Sequence, residues 1–258
     1  MTCAVYLIQF DIQWEDKKAN FREVRTLIEQ SPPTPGSLVI LPEMFSTGFS
    51  RQVKRICETE SRDTTRFAES IAKEWHVGVV GGRVLIGANG KGLNQCFVLD
   101  ENGTEIACYT KLHPFSFAKE DQFFDPGTEV TQFEWKGFQI APFICYDLRF
   151  PEIFRRSVIN GTQVFIVIAN WPDARAAHWE CLCRARAIEN QAWVVAVNRC
   201  GKDPRLNYIG GSMVINPKGE CIAQLSDQTS ILRADLDLHS LMEYRAHFPV
   251  LNDIRHLS

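Results

Sequence analysis

The sequence predicts an α/β protein in which mixed sheets are covered by helices on their outer faces. Two patterns carry this expectation: short, fully apolar runs alternate with stretches of helical period, and several runs are joined in pairs by tight turns. Fully apolar strands need cover on both faces, while hairpins set antiparallel neighbours beside the parallel strands that helical crossovers produce. With 258 residues, 45% hydrophobic and 23% charged, and a net charge of -3, the chain has an ordinary globular composition and no electrostatic reason to hold nucleic acid or an anionic membrane. Its expected partners are small molecules or copies of itself.

The first apolar run, Met1 to Phe10, reads as a buried strand: it lacks a basic start and is too short to span a bilayer. Phe21, Val24, Leu27 and Ile28 recur at helical spacing, giving a helix over about Lys17 to Gln30 that Pro32, Pro33, Pro35 and Gly36 end. Leu38 to Leu41 is the second strand and delivers Glu43 at its carboxyl end. A helix over about Asp63 to Glu74 precedes the strand Val77 to Val80; Gly81, Gly82 and Gly87 then fit neither a dinucleotide fingerprint nor a P-loop and read as close backbone packing or turns. A hairpin pairs Asn94–Leu99 with Thr104–Tyr109 around Asn102-Gly103, and Lys111 lies just beyond it. A second hairpin pairs Thr131–Trp135 with Phe138–Ile144 around Lys136-Gly137; Pro142 within it requires an unpaired N–H side or a bulge.

Cys145 follows directly, and Pro151 marks the first turn of the next helix. Val164 to Ala169 is the most continuous apolar strand and opens into Asn170-Trp171-Pro172. A long helix over Ala176 to Asn190, a strand over Trp193 to Val197 and a polar loop from Arg199 to Tyr208 follow. A third hairpin around Asn216 to Gly219, a closing strand Ile231 to Asp235 and a helix over Leu238 to His247 complete the pattern. The whole chain, 1–258, reads as one domain whose tail, 248–258, is too poor in apolar residues to fold alone and is expected to dock on this subunit or a neighbour. Nine cysteines without a disulfide-scaffold spacing or a secretory signal suit a reduced, cytoplasmic protein.

Ligands of α/β proteins collect at the carboxyl ends of strands, and Glu43, Lys111, Cys145 and Asn170 each stand just after one. Cys145 occupies a strand-to-helix bend that would project its thiol towards the N–H groups of the helix start, the geometry of a nucleophile elbow. A thiolate attacks a carbonyl or nitrile carbon, a carboxylate carries the proton, and a fixed cation holds the oxyanion. From spacing alone, an ordinary Glu–Lys ion pair beside an inert thiol fits as well. A metal site formed by His178, Cys181 and Cys183 is disfavoured, because Cys181 and Cys183 point roughly 200° apart on a helix.

Leu41-Pro42-Glu43-Met44-Phe45, Tyr109-Thr110-Lys111-Leu112-His113 and Cys145-Tyr146-Asp147-Leu148-Arg149-Phe150-Pro151-Glu152 resemble the three signature motifs of the nitrilase superfamily of carbon-nitrogen hydrolases, in order and in spacing. The stretch from Ala177-His178-Trp179 through Arg184 to Gln191 is similar to the family's long helix, so the likeness spans the chain. The resemblance implies a four-layer α-β-β-α sandwich with mixed sheets, commonly paired as a homodimer. It implies Glu43 as general base and acid, Lys111 as stabiliser of the tetrahedral intermediate and Cys145 as nucleophile, with no cofactor and no metal. The Tyr146 N–H would be the second oxyanion donor, and Glu120 would match a further glutamate that orients Lys111 or the substrate.

Within the superfamily the cysteine motif is most similar to the omega-amidase branch, which hydrolyses terminal amides of 2-oxo dicarboxylates through a thioester. Arg149 would bind the free carboxylate, the rival role being an ion pair with Asp147. Asn170-Trp171-Pro172 resembles the bacterial type, in which Trp171 should narrow the pocket or stack on substrate, and Phe45, Phe115 and Phe150 would complete an apolar wall. The alternatives are an N-carbamoyl hydrolase with the same three residues, and a silent scaffold of the same fold.

Overall fold

The computed structural model describes residues 1–255, which form two six-stranded sheets packed face to face between layers of helices. In chain order the strands are β1 (Thr2–Gln9), β2 (Leu38–Ile40), β3 (Gly78–Ile86), β4 (Gly92–Leu99), β5 (Glu105–Thr110), β6 (Phe133–Trp135), β7 (Phe138–Ile144), β8 (Val164–Ala169), β9 (Trp193–Asn198), β10 (Cys200–Lys202), β11 (Asn207–Ile209), β12 (Met213–Ile215), β13 (Cys221–Gln224) and β14 (Ser230–Asp237). The helices are α1 (Lys17–Gln30), α2 (Val53–Ile56), α3 (Asp63–Trp75), α4 (Pro151–Ile159), α5 (Ala176–Asn190) and α6 (Leu238–His247).

One sheet runs β14-β1-β2-β3-β4-β5 and the other β13-β12-β9-β8-β7-β6. Each has three parallel strands at its centre, β1-β2-β3 and β7-β8-β9, with antiparallel neighbours outside them. The expected mixed sheets and four layers are therefore present. The period of two along β1 shows how the sequence sets the layers: Cys3, Val5 and Leu7 join the core shared by both sheets, whereas Tyr6 and Ile8 pack with Val24, Leu27 and Ile28 of α1 and Ala68, Ile71 and Ala72 of α3. Asp16 caps α1 by accepting from the Ala19 N–H at 2.9 Å.

Several boundaries differ from the sequence reading. β3 continues through Gly81, Gly82 and Arg83 to Ile86, because strand pairing with β4 holds a segment whose glycines break the apolar run. A five-residue turn of 3-10 type, Cys145–Arg149, stands between β7 and α4. The loop after β9 contains the small β10–β11 hairpin, and α2 has no periodic signature at four residues. Pro142 sits where β7 has only one strand neighbour, since β6 pairs no further than Ile140. Lys136 and Gly137 both have positive φ, +48° and +81°, as the two-residue β6–β7 turn requires.

In the tail, Gln191 Nε2 donates to the Phe248 carbonyl at 2.7 Å, and Leu251 and Ile254 pack against the larger core. Residues 256–258 of that expected docking segment lie outside the described residues. Among the described residues no helix is long and apolar enough to cross a membrane.

Candidate active site

Four strands deliver the chemistry to one place. Glu43 follows β2, Lys111 follows β5, Cys145 follows β7 and Asn170 follows β8, so two of these residues come from each sheet. They line a cavity of about 90 Å³ together with Phe49, Phe115 and Tyr208.

Glu43 is fully buried and its carboxylate is saturated with donors. Oε1 accepts from Asn94 Nδ2 at 2.8 Å and Lys111 Nζ at 3.0 Å, and Oε2 accepts from the Asn170 N–H at 2.9 Å. Lys111 Nζ also donates to Glu120 Oε2 at 2.9 Å, and Glu120 accepts from the Phe115 N–H at 2.6 Å and from Asn94 Nδ2 at 3.0 Å. Burial pushes the Glu43 carboxyl up, but the Lys111 ammonium, the Asn94 amide and the Asn170 N–H outweigh it and leave the group below its ordinary value. Glu120 is raised, by burial and by the facing Glu43, despite Lys111. Lys111, whose burial alone would discharge it, is held cationic by Glu120 and Glu43.

Cys145 has φ +48°, a left-handed conformation unusual for a residue with a side chain. The elbow is held by Asp147, which is fully buried and accepts from Tyr109 Oη at 2.8 Å, the His113 N–H at 3.0 Å and the Ile144 N–H at 3.1 Å, with His113 Nδ1 at 2.9 Å. Burial, and then the Glu43 carboxylate, push the thiol well above its ordinary value. The resting group is therefore a neutral thiol facing an ionised carboxylate, and a base must take its proton before it can attack. A fixed ammonium on the same wall can hold developing negative charge.

A second, smaller cavity of about 30 Å³ shares Phe115, Cys145, Asn170 and Pro172 with the first and is bounded by Tyr146, Arg149, Trp171 and Arg175. Arg149 does not pair with Asp147, whose acceptor positions are already filled. Its Cζ lies 4.7 Å from the centroid of the Trp171 ring, and its Nη2 is 3.2 Å from His178 Nδ1. Trp171 is buried beneath this guanidinium, with Nε1 donating to the Arg175 carbonyl at 2.7 Å. Cys183 is buried and Cys181 exposed on α5.

Phe45 requires a correction. Its ring stands 6.3 Å from those of Phe21 and Phe67 in the core between the first sheet and its helices. Met44, at φ +45°, turns the chain so that Phe49, five residues on, reaches the cavity instead. Phe115 lines both cavities, while the Phe150 ring stacks on His113 at 3.7 Å. Sequence reasoning also missed Asn94 and Arg175, and offered Asp147 only as an ion-pair partner for Arg149; the only sequence signal for Arg175 is its nearness to Trp171.

A two-sheet α-β-β-α sandwich with a thiol, two carboxylates and an ammonium gathered at its strand ends defines a class of hydrolytic enzymes. The carbon-nitrogen hydrolase family model matches residues 5–246, and the chain belongs to that family. It is 32% identical to the 2-oxoglutaramate amidase of Bacillus subtilis, over 99% of this chain and 98% of that one. It is 35% identical to the omega-amidase YafV of Escherichia coli K12, covering 96% and 95%. A solved CN-hydrolase superfamily protein of Xanthomonas campestris, with an arsenic adduct in its active site, superimposes with a TM-score of 0.93 at 31% identity, covering 100% of this chain and 99% of that one.

Proposed function

We propose that the chain is an omega-amidase, releasing ammonia from the terminal amide of a small 2-oxo dicarboxylate monoamide. Glu43 takes the proton of Cys145 as the sulfur attacks the amide carbon. Lys111 Nζ and the Tyr146 N–H hold the oxyanion, with Glu120 keeping Lys111 in place. Collapse of the tetrahedral intermediate breaks the C–N bond, and Glu43 returns its proton to the departing ammonia. A water deprotonated by Glu43 then attacks the thioester, and the thiolate leaves and is reprotonated as the carboxylic acid is released. Amide and water balance the reaction, and the nucleophile, the proton carrier and the oxyanion donors are all groups of the chain.

The observation that carries the substrate assignment is Arg149, a guanidinium on the wall of the Cys145 cavity that no carboxylate of the described residues pairs with. The named activities of the Bacillus and Escherichia relatives support the same reading. Asn170 fixes Glu43 and Trp171 supports Arg149, which are the roles we assign them.

Ammonia release should be measured from 2-oxoglutaramate, glutamine, an N-carbamoyl amino acid and a simple nitrile, with native protein and Cys145→Ala. Turnover of 2-oxoglutaramate that disappears in the variant is the expected result. Activity confined to the carbamoyl compound would keep the thiol chemistry and overturn the substrate.

A further inference from the structure

Arg175 and Arg149 face the same small cavity beside Cys145. Each guanidinium is held by an aromatic face: Arg149 Cζ is 4.7 Å from the Trp171 centroid and Arg175 Cζ is 5.3 Å from that of Phe115. Stacking restrains a guanidinium while leaving its in-plane N–H groups for other partners, and on Arg149 one of these, Nη2, already meets His178 Nδ1 at 3.2 Å. Among the described residues no carboxylate pairs with either of them, whereas Arg83, Arg186 and Arg199 are each paired with an acid. Trp171 links the two, with its ring under Arg149, its Nε1 donating to the Arg175 carbonyl at 2.7 Å, and its own N–H donating to Asn198 Oδ1 at 2.7 Å. The mutual repulsion is felt: after burial, Arg175 is the main influence holding the Arg149 guanidinium below its ordinary basicity.

We propose that Arg175 and Arg149 together form a two-guanidinium clamp that selects amides of 2-oxo acids against amides of 2-amino acids. The inference rests on the carboxylate-binding reading of Arg149 and adds Arg175 as the specificity-determining partner. A 2-oxo carboxylate offers three acceptor oxygens and a net negative charge to two forks of donors. An amino acid amide of the same length replaces the keto oxygen by an ammonium, so a cation and donor meets two cations and donors. Like charges brought together at a binding surface suppress the wrong partner more effectively than weaker contacts do, and a site built around hydrogen bonds rejects the analogue that leaves them unpaired. A glutaric acid monoamide, with the carboxylate but neither the keto oxygen nor the ammonium, should fall between the two.

The test compares kcat/KM for 2-oxoglutaramate, glutaric acid monoamide and glutamine in native protein, Arg175→Gln, Arg175→Lys and Arg149→Gln. In Arg175→Gln the preference for 2-oxoglutaramate over glutamine should fall by about 10- to 100-fold, mostly through KM, and Arg175→Lys should recover part of it. An unchanged preference in Arg175→Gln, alongside a KM defect in Arg149→Gln, would remove the clamp and leave the omega-amidase reading intact. No turnover of 2-oxoglutaramate by native protein would remove both. A second measurement needs no variant: 2-oxoglutarate should protect Cys145 from iodoacetamide at concentrations where glutamate does not, and equal protection by the two would overturn the proposal.

Discussion

The Glu43 carboxylate holds an ammonium, an amide and a backbone N–H at once, so its charge and its position depend on one set of bonds. Glu43→Gln should lower kcat by about 10²–10⁴-fold in a protein of native circular dichroism; near-normal turnover would remove it from the proton-transfer role. The pH profile carries the sign of the two shifts. Because Glu43 lies below its ordinary value, it stays ionised as the pH falls, and kcat/KM should hold down to about the ordinary 4.5 and decline beneath it. Because Cys145 lies above its ordinary value, its alkylation by iodoacetamide should show no inflection at 9.0. Asp147→Asn replaces one of two acceptor oxygens by a donor, which must then face either the His113 N–H, held by Oδ1, or the Ile144 N–H, held by Oδ2, and should cost on the order of 1–3 kcal/mol in urea denaturation together with activity. That Glu43, Lys111 and Cys145 would meet was legible because each directly follows an apolar strand, while the roles expected of them came from the family resemblance of their motifs. The parts played by Asn94 and Asp147 were not legible, since Glu43 and Glu120, which Asn94 joins, and Tyr109 and His113, which Asp147 holds, lie far from them in the chain. Phe45 was misplaced because the sharp turn at Met44, and not a strand period, decides which aromatic ring reaches the cavity.

At the scale of elements, β3 explains why glycine stands behind the site. A Cβ at Gly82 would come 2.3 Å from the Met44 nitrogen and 2.8 Å from the Glu43 Cα, both of them backbone that cannot rotate away. Gly82→Ala should therefore lower both thermal stability, by about 1–3 kcal/mol, and kcat, by displacing Glu43. A variant with native kcat and a normal melting temperature would show that the β2 turn has slack. Reading Gly81 and Gly82 as close packing was sound, but the apolar period of β3 stops at those same glycines, which hid its second half. The hairpins were legible because their turns announce themselves: Gly137 and Gly103 adopt the positive φ that glycine favours. β10, β11 and α2 are held by tertiary contacts across three or four residues, too few for any periodic pattern to show.

At the scale of the molecule, Ile188 of α5, Met242 of α6, and Phe248 and Val250 beyond it are exposed large hydrophobic residues among the described residues. Apolar side chains left exposed on the last helices and beyond them are candidates for contact between copies. We expect two copies to meet there, so that sedimentation gives about twice the 29.4 kDa of one chain and Phe248→Asp shifts the mass towards the monomer. A native monomer at micromolar concentration would rule this pairing out.

The bonds from Asn170 to Glu43 join a strand end of one sheet to a strand end of the other. Neither sheet carries a working half of the proposed chemistry, because the Cys145 thiol and the Glu43 carboxylate arrive from opposite sides of the sandwich. Catalysis therefore can begin only after the two layers have docked, and recovery of ammonia release during refolding marks the end of assembly, later than the return of helical circular dichroism. For the same reason, two separately expressed fragments divided between β5 and β6 would each be inert, and activity on mixing them would count only the pairs that had found each other's register.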